Sequence, residues 1–301
     1  MNEDFLQRLL ALHYVYPKPL NKFHILLEND PELTGMERMP LELLAVRLNI
    51  SIDTAAQLRS SFNQALKTPY LPLYEKHHII PIHFLHPSYP ESLKDLIDPP
   101  AVLYAKGRAE LLENRERIAV IGSRKATSYS RKAINAIIPE LIEQQMVIVS
   151  GLAKGADTMA HRAAIDAGGD TIAVTGSGFL HPYPKENKEL FIIIEEKGLL
   201  ITEYPPYMTP RKWNFPMRNR IISGISNGIL VTEAKLKSGT LSTIDHGLDH
   251  GKEIFAVPGD IFSPLSEGPH KLILEGAKPV WKGAQVLEEY RQLKAEITPL
   301  K

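Results

Sequence analysis

Four short turns carry the residue types best suited to holding an anion: Gly122-Ser123-Arg124, Ser150-Gly151, Gly176-Ser177-Gly178 and Lys237-Ser238-Gly239-Thr240. Glycine lets a backbone approach an anion closely. A helix that starts just after such a turn points its free N–H groups and its positive dipole end at the same spot. Arg124, Lys185, Arg218 and Arg220 stand in or near these turns and add side-chain cations. Spread over several turns, they suit a partner with several phosphates better than a single nucleotide. A single-stranded nucleic acid fits that description, with Phe215 or Tyr183 available to stack a base.

Known phosphate signatures are not met. After Gly176-Ser177-Gly178 the third glycine position of a dinucleotide fingerprint is His181, and no G-x-x-x-x-G-K-[ST] occurs. Catalytic constellations are thin. Asp157 and His161 form an i, i+4 pair, Asp245 stands near His246 and His250, and Ser150, Ser177 and Ser238 are hydroxyl nucleophiles on paper. No G-x-S-x-G elbow is present. Asp157 directly after Gly155-Ala156 is more simply a helix N-terminal residue whose charge suits the dipole, with His161 as its hydrogen-bond partner. His77, His78, His83 and His86 invite a metal, but no carboxylate or further histidine stands at ligand spacing beside them. Neither a metal nor a cofactor is expected.

The elements that must position these turns are legible from 118 onward. Runs at 118–121, 147–149, 171–175, 199–202, 228–232 and 253–257 are near-continuous in Val, Ile and Leu. They alternate with helical patterns at 127–145, 157–167, 185–197, 216–226 and 240–250. This βαβ alternation predicts an α/β fold with an extended Rossmann-like parallel sheet, buried on both faces by helices. The turns then fall at the carboxyl ends of the strands, where open parallel sheets bind ligands. Before the sheet, apolar clusters at helical spacing (Phe5 to Leu12, Phe23 to Leu27, Leu41 to Leu48) predict a small all-α domain, 1–74. The Rossmann-like domain takes 75–290, and 291–301 is a tail. Prolines 69, 72, 81, 87, 90, 99 and 100 mark the junction, with short extended pieces between them.

Bulk properties narrow the function classes. The chain has 301 residues, is 44% hydrophobic and 23% charged, and carries zero formal net charge, so a nucleic-acid site must come from local segregation of cations. It has no cysteine, which excludes disulfides, thiolate nucleophiles and cysteine-based zinc sites. The acidic start, Met1-Asn2-Glu3-Asp4, is unlike a signal peptide, and no apolar run is long enough to span a membrane. A cytoplasmic protein with no membrane partner is expected.

Five stretches in order, I-A-V-I-G-S-R (118–124), V-I-V-S-G-L-A-K-G-A-D-T-M-A-H (147–161), A-V-T-G-S-G-F-L-H-P-Y-P-K-E-N (173–187), F-P-M-R-N-R-I-I-S-G (215–224) and K-S-G-T-L-S-T (237–243), resemble the DprA/Smf family of DNA-processing proteins of bacterial natural transformation. The resemblance covers about 80–282, and the N-terminal unit resembles the family's sterile-alpha-motif-like domain. It implies a non-enzymatic, homodimeric protein that binds single-stranded DNA, protects incoming strands, loads RecA recombinase and helps overcome single-strand-binding protein. Carried onto this sequence, the DNA site takes Gly122, Ser123, Arg124, Ser150, Gly151, Lys185, Phe215, Arg218, Asn219, Arg220, Ser238, Gly239 and Thr240. The dimer interface falls on 269–277, with His270, Leu272, Ile273 and Leu274. Many members carry a C-terminal winged-helix domain, and none is expected in 291–301. The alternative is an enzyme: nucleoside-monophosphate phosphoribohydrolases share the broad fold and carry P-G-G-x-G-T-x-x-E. Here the matching turn is Lys237 to Thr243, and the glutamate is missing.

Overall fold

The computed structural model describes residues 3–113, 115–236 and 238–297, with backbone alone for 240–242 and 293–297. Five helices come first: α1 (Glu3–Val15), α2 (His24–Asn29), α3 (Leu41–Leu48), α4 (Ile52–Ala65) and α5 (Tyr70–Lys76). Ser51 caps α4 by accepting from the Thr54 amide, as its type and position predict. Next come β1 (Ile80–His83), β2 (Val102–Gly107), β3 (Arg117–Ile121), α6 (Ser128–Glu143), β4 (Val147–Ser150), α7 (Ala156–Asp166) and β5 (Thr171–Val174). The chain continues through α8 (Lys188–Lys197), β6 (Leu199–Thr202), α9 (Asn214–Gly224), β7 (Gly228–Val231) and α10 (Gly239–Asp249). It closes with β8 (Glu253–Ala256), α11 (Glu267–Leu274), β9 (Lys278–Pro279) and α12 (Gly283–Ile297).

The described strands form one nine-stranded sheet in the order β1-β2-β6-β5-β4-β3-β7-β8-β9. From β6 to β9 every pairing is parallel, whereas β2 runs antiparallel to both β6 and β1. Of the junction prolines, Pro69 and Pro72 lie at the start of α5, Pro81 lies in β1, and Pro87, Pro90, Pro99 and Pro100 fall between β1 and β2, two added strands that extend the sheet. β1 tolerates Pro81 because it is an edge strand.

Alternation along each strand sorts the side chains between two faces. On one face Ile118, Val120, Ile148 and Leu230 pack under α6, α7 and α12, with Phe255 stacked on Tyr290. The same face, at the β2 and β6 end, carries α8 and the N-terminal helices on Val102, Tyr104, Ala173 and Leu200. The helical unit thus shares a continuous apolar core with the sheet. The opposite face, with Ala119, Ile121, Val149, Val174 and Val231, is covered by Ile221, Ile222 and Ile225 of α9 and its end, Ile244 of α10 and Leu272 of α11. Among the described residues no helix is long and apolar enough to cross a membrane.

Candidate nucleic-acid interface

Strand order reverses between β3 and β7: β4, β5 and β6 follow on one side, β8 on the other. The loops leaving such a pair diverge to opposite faces, which opens a crevice at their carboxyl ends. A crevice of about 760 Å³ lies there. Gly122, Ser123, Arg124 and Lys125 line it from β3, Lys235, Ser238 and Gly239 from the β7–α10 loop, and Phe215, Arg218 and Asn219 from α9. Ala153, Asp157, Pro264 and Leu265 also line it.

Backbone contacts fix this edge. The Ser123 amide donates to the Glu233 carbonyl (2.6 Å), and the Ala156 amide donates to the Ser123 carbonyl (3.1 Å). Gly155 precedes α7 with φ +75°, and a Cβ there would overlap the Ser123 carbonyl oxygen. This turn therefore needs glycine on two counts, backbone conformation and close approach. The buried Glu233 carboxylate accepts from the Thr127 amide (2.7 Å) and hydroxyl (2.9 Å), which ties the start of α6 to the β7 loop. Asn219 Nδ2 donates to the Gly239 carbonyl (3.3 Å) and ties α9 to the start of α10.

Arg124, Lys125 and Lys235 are exposed on the crevice wall. The Arg124 guanidinium lies 5.6 Å from the centre of the half-buried Phe215 ring, and the Tyr183 ring is 5.3 Å from it on a tilt. Arg218 is buried, and its Nη1 donates to the Gly151 and Val174 carbonyls. Burial pushes it down to about 10, so it keeps its charge at neutral pH, helped by Asp157 nearby. Burial pushes the Asp157 carboxyl up, opposed by Arg218 and by the Ala153 and Gly151 amides that donate to it. Four cations and one buried carboxylate thus surround the crevice, so it suits an anion flanked by an aromatic surface.

Several predicted residues are placed elsewhere. Arg218 and Arg220 are two residues apart on α9, hence on opposite sides of the helix. Arg220 points away from the crevice and is paired with the buried Glu203 and, at 3.3 Å, with Asp98. The Ser150 hydroxyl donates to the Val120 carbonyl (2.7 Å) and is fully buried. Gly151 gives room to the Arg218 guanidinium, and Gly176 to the Phe215 ring; a side chain at either would strike its neighbour. The Ser150-Gly151 and Gly176 to Gly178 turns therefore support the wall from behind. Lys185 is exposed after β5 but does not line the crevice. The Thr240 side chain and all of Lys237 lie outside the described residues.

His161 does not pair with Asp157. Its Nδ1 donates to the Thr171 hydroxyl (2.7 Å), because that hydroxyl's own proton goes to the Ile148 carbonyl (2.8 Å). Burial pushes His161 down to about 3. Of the four junction histidines, His83 is buried and pushed down to about 4, and its Nδ1 accepts from the Leu85 amide, while His86 Nδ1 accepts from Ser88. Around α11, Leu272 is in the core, His270 bonds the Gly259 carbonyl (3.1 Å), Ile273 is half-buried, and Leu274 is 89% exposed.

Sequence reasoning missed Lys125, Lys235 and the Pro264-Leu265 wall. The two lysines carry a usable signal, since each stands in a strand-end loop within three residues of a predicted site residue. Pro264-Leu265 carries none, because the loop after β8 folds back to the crevice through tertiary contacts such as the Ala234 amide to the Leu265 carbonyl (2.8 Å).

Residues 81–291 match the family model for DNA recombination-mediator protein A. The chain is 43% identical over 246 residues to the DNA processing protein DprA of Bacillus subtilis (strain 168), which covers 81% of this chain and 83% of that one. The crystal structure of DNA processing protein A from Streptococcus pneumoniae is similar at TM-score 0.71 and 38% identity, over 85% of this chain and 93% of that one. DNA processing protein A from Helicobacter pylori, solved to give insight into its single-stranded DNA binding mode, is similar at TM-score 0.65 and 28% identity, over 71% of this chain and 96% of that one.

Proposed function

The chain belongs to the DNA recombination-mediator protein A family, and from that premise we propose that it binds single-stranded DNA in the crevice between β3 and β7. The observation that carries this reading is the convergence of Arg124, Lys125, Arg218 and Lys235 around a ring surface at one strand-end crevice. A DNA backbone supplies phosphates at intervals that several separated cations match, and Phe215 offers its ring to a base. The single-stranded DNA binding of the Helicobacter pylori relative supports the same conclusion.

The role we assign is DNA processing in transformation: protection of incoming single strands and loading of RecA recombinase onto them, against competition from single-strand-binding protein, in the cytoplasm. The protein acts by binding and not as an enzyme. In support, the pair with catalytic spacing is not joined: Asp157 accepts from two backbone amides, and His161 Nδ1 bonds Thr171 instead. A homodimer is part of the reading, and the exposed Leu274 beside the half-buried Ile273 supports α11 as part of its interface.

The test is fluorescence anisotropy with labelled oligo-dT. Charge reversal at two exposed positions, Arg124→Glu with Lys235→Glu, removes two phosphate contacts and adds repulsion. Affinity at about 0.1 M salt falls at least 25-fold from the lost contacts alone. Unchanged affinity in a folded double variant overturns the placement of DNA in this crevice.

A further inference from the structure

A second groove, of about 500 Å³, runs between α6 and α7. Arg131 and Asn135, one turn apart, line it from α6, and Thr158 and Arg162, one turn apart, from α7. Lys154 stands at its upper end and Asp166 at its lower. None of its lining residues lines the crevice.

We propose that this groove is a second phosphate track, which takes the same DNA strand as it leaves the crevice. The inference rests on the DNA-binding reading above and extends it to a new surface. Continuity is the first argument. Ala153 and Asp157 line the crevice, while the adjoining Lys154, Gly155 and Thr158 line the groove, so the two sites meet around the first turn of α7. Charge is the second. Three cations face one carboxylate, and that carboxylate is at the end away from the crevice. Arg131 and Arg162 are exposed and, among the described residues, neither forms an ion pair. Lys154 pairs with Glu186 on the surface, where solvent makes the bridge weak enough for a phosphate to replace it.

The floor is fixed and polar. Asn187 Nδ2 donates to the Thr158 hydroxyl (2.8 Å) and to the Leu152 carbonyl (2.8 Å), and the Thr158 hydroxyl donates to the Ala153 carbonyl (2.7 Å). From Gly155 to Arg162 the groove follows α7 for about 10 Å at 1.5 Å per residue.

The test compares oligo-dT of about six and about twenty nucleotides, the first sized for the crevice alone. The variant is Arg131→Ala with Arg162→Ala, two exposed side chains on helices that accept alanine. Affinity for the longer strand falls about 25-fold at 0.1 M salt, and its log–log salt slope becomes shallower by about 1.4, the value for two lost phosphate contacts. Affinity for the shorter strand is unchanged. No loss on the longer strand, or an equal loss on both, overturns the second track. Arg124→Ala serves as the reference: if it weakens both strands while the groove variant weakens neither, the groove assignment fails and the crevice stands. If Arg124→Ala weakens neither, the crevice itself falls, and the groove with it.

Discussion

Arg220 looks in the sequence like a DNA contact beside Arg218, and the structure makes it a stability element. Its residue is 2% exposed, and it is paired with Glu203, 6% exposed, and with Asp98. Replacing it with methionine keeps much of the volume and removes the charge. The Glu203 carboxylate is then left buried without its main counter-charge. Breaking a buried pair in this way costs about 3–5 kcal/mol. At roughly 2–4 °C per kcal/mol, the melting temperature falls by about 6–20 °C. A second substitution, Glu203→Gln, removes the orphaned charge, so the double variant is more stable than Arg220→Met alone. The pH dependence adds a check on sign. Burial holds the Glu203 carboxyl above its usual range, and Arg220 opposes that rise. Without Arg220 the rise is larger, so the folded variant binds a proton more readily than the unfolded chain. Its deficit against the parent protein therefore shrinks as pH falls from 7 toward 5. Circular-dichroism melts of the three proteins at both pH values measure all of this. A melting temperature unchanged by Arg220→Met, or a stable variant that has lost DNA binding, refutes the reasoning.

His13 and His161 are buried and both pushed down to about 3, so they stay neutral when folded while the unfolded chain protonates them below about 6.5. Stability therefore falls as pH drops, by about 2 kcal/mol per histidine between pH 7.5 and pH 5, partly offset by Asp157 and Glu203, whose raised carboxyls act in the opposite sense. Urea melts of the parent and of His161→Asn check this, and the variant loses about 2 kcal/mol of the pH dependence. Gly155→Ala strains a positive φ and displaces the Ser123 carbonyl, so it costs at least about 2 kcal/mol and weakens oligo-dT binding together; a thermal melt and an anisotropy titration report both. Leu274→Glu places a charge on the exposed end of α11, and light scattering at micromolar concentration shows a dimer for the parent protein and a monomer for the variant.

The parallel core was legible because β4, β5 and β7 are buried on both faces, so every position is apolar or small and the period-2 signal is replaced by a continuous run. The antiparallel extension was not. β1 reads Ile80-Pro81-Ile82-His83, and its proline argues against a strand unless the edge position is known. The crevice was legible as a set of strand-end turns, since Gly122, Ser123, Arg124, Phe215, Arg218, Asn219, Ser238 and Gly239 all line it. What the linear pattern hides is direction. Helical rotation turns Arg220 away from Arg218, the Ser150 hydroxyl satisfies a carbonyl inside the sheet, and Gly176 is small to accommodate Phe215 rather than an anion.

The claim at the centre is that DNA phosphates occupy the crevice between β3 and β7, and the salt dependence of binding tests it most directly. An oligo-dT of about six nucleotides is titrated against the protein from about 50 to about 200 mM salt. Engagement of the exposed Arg124, Lys125 and Lys235 gives a slope of log affinity on log salt of about −2.1, three contacts at about 0.7 each. A slope near zero, or a slope that Arg124→Glu with Lys235→Glu leaves unchanged, contradicts the account.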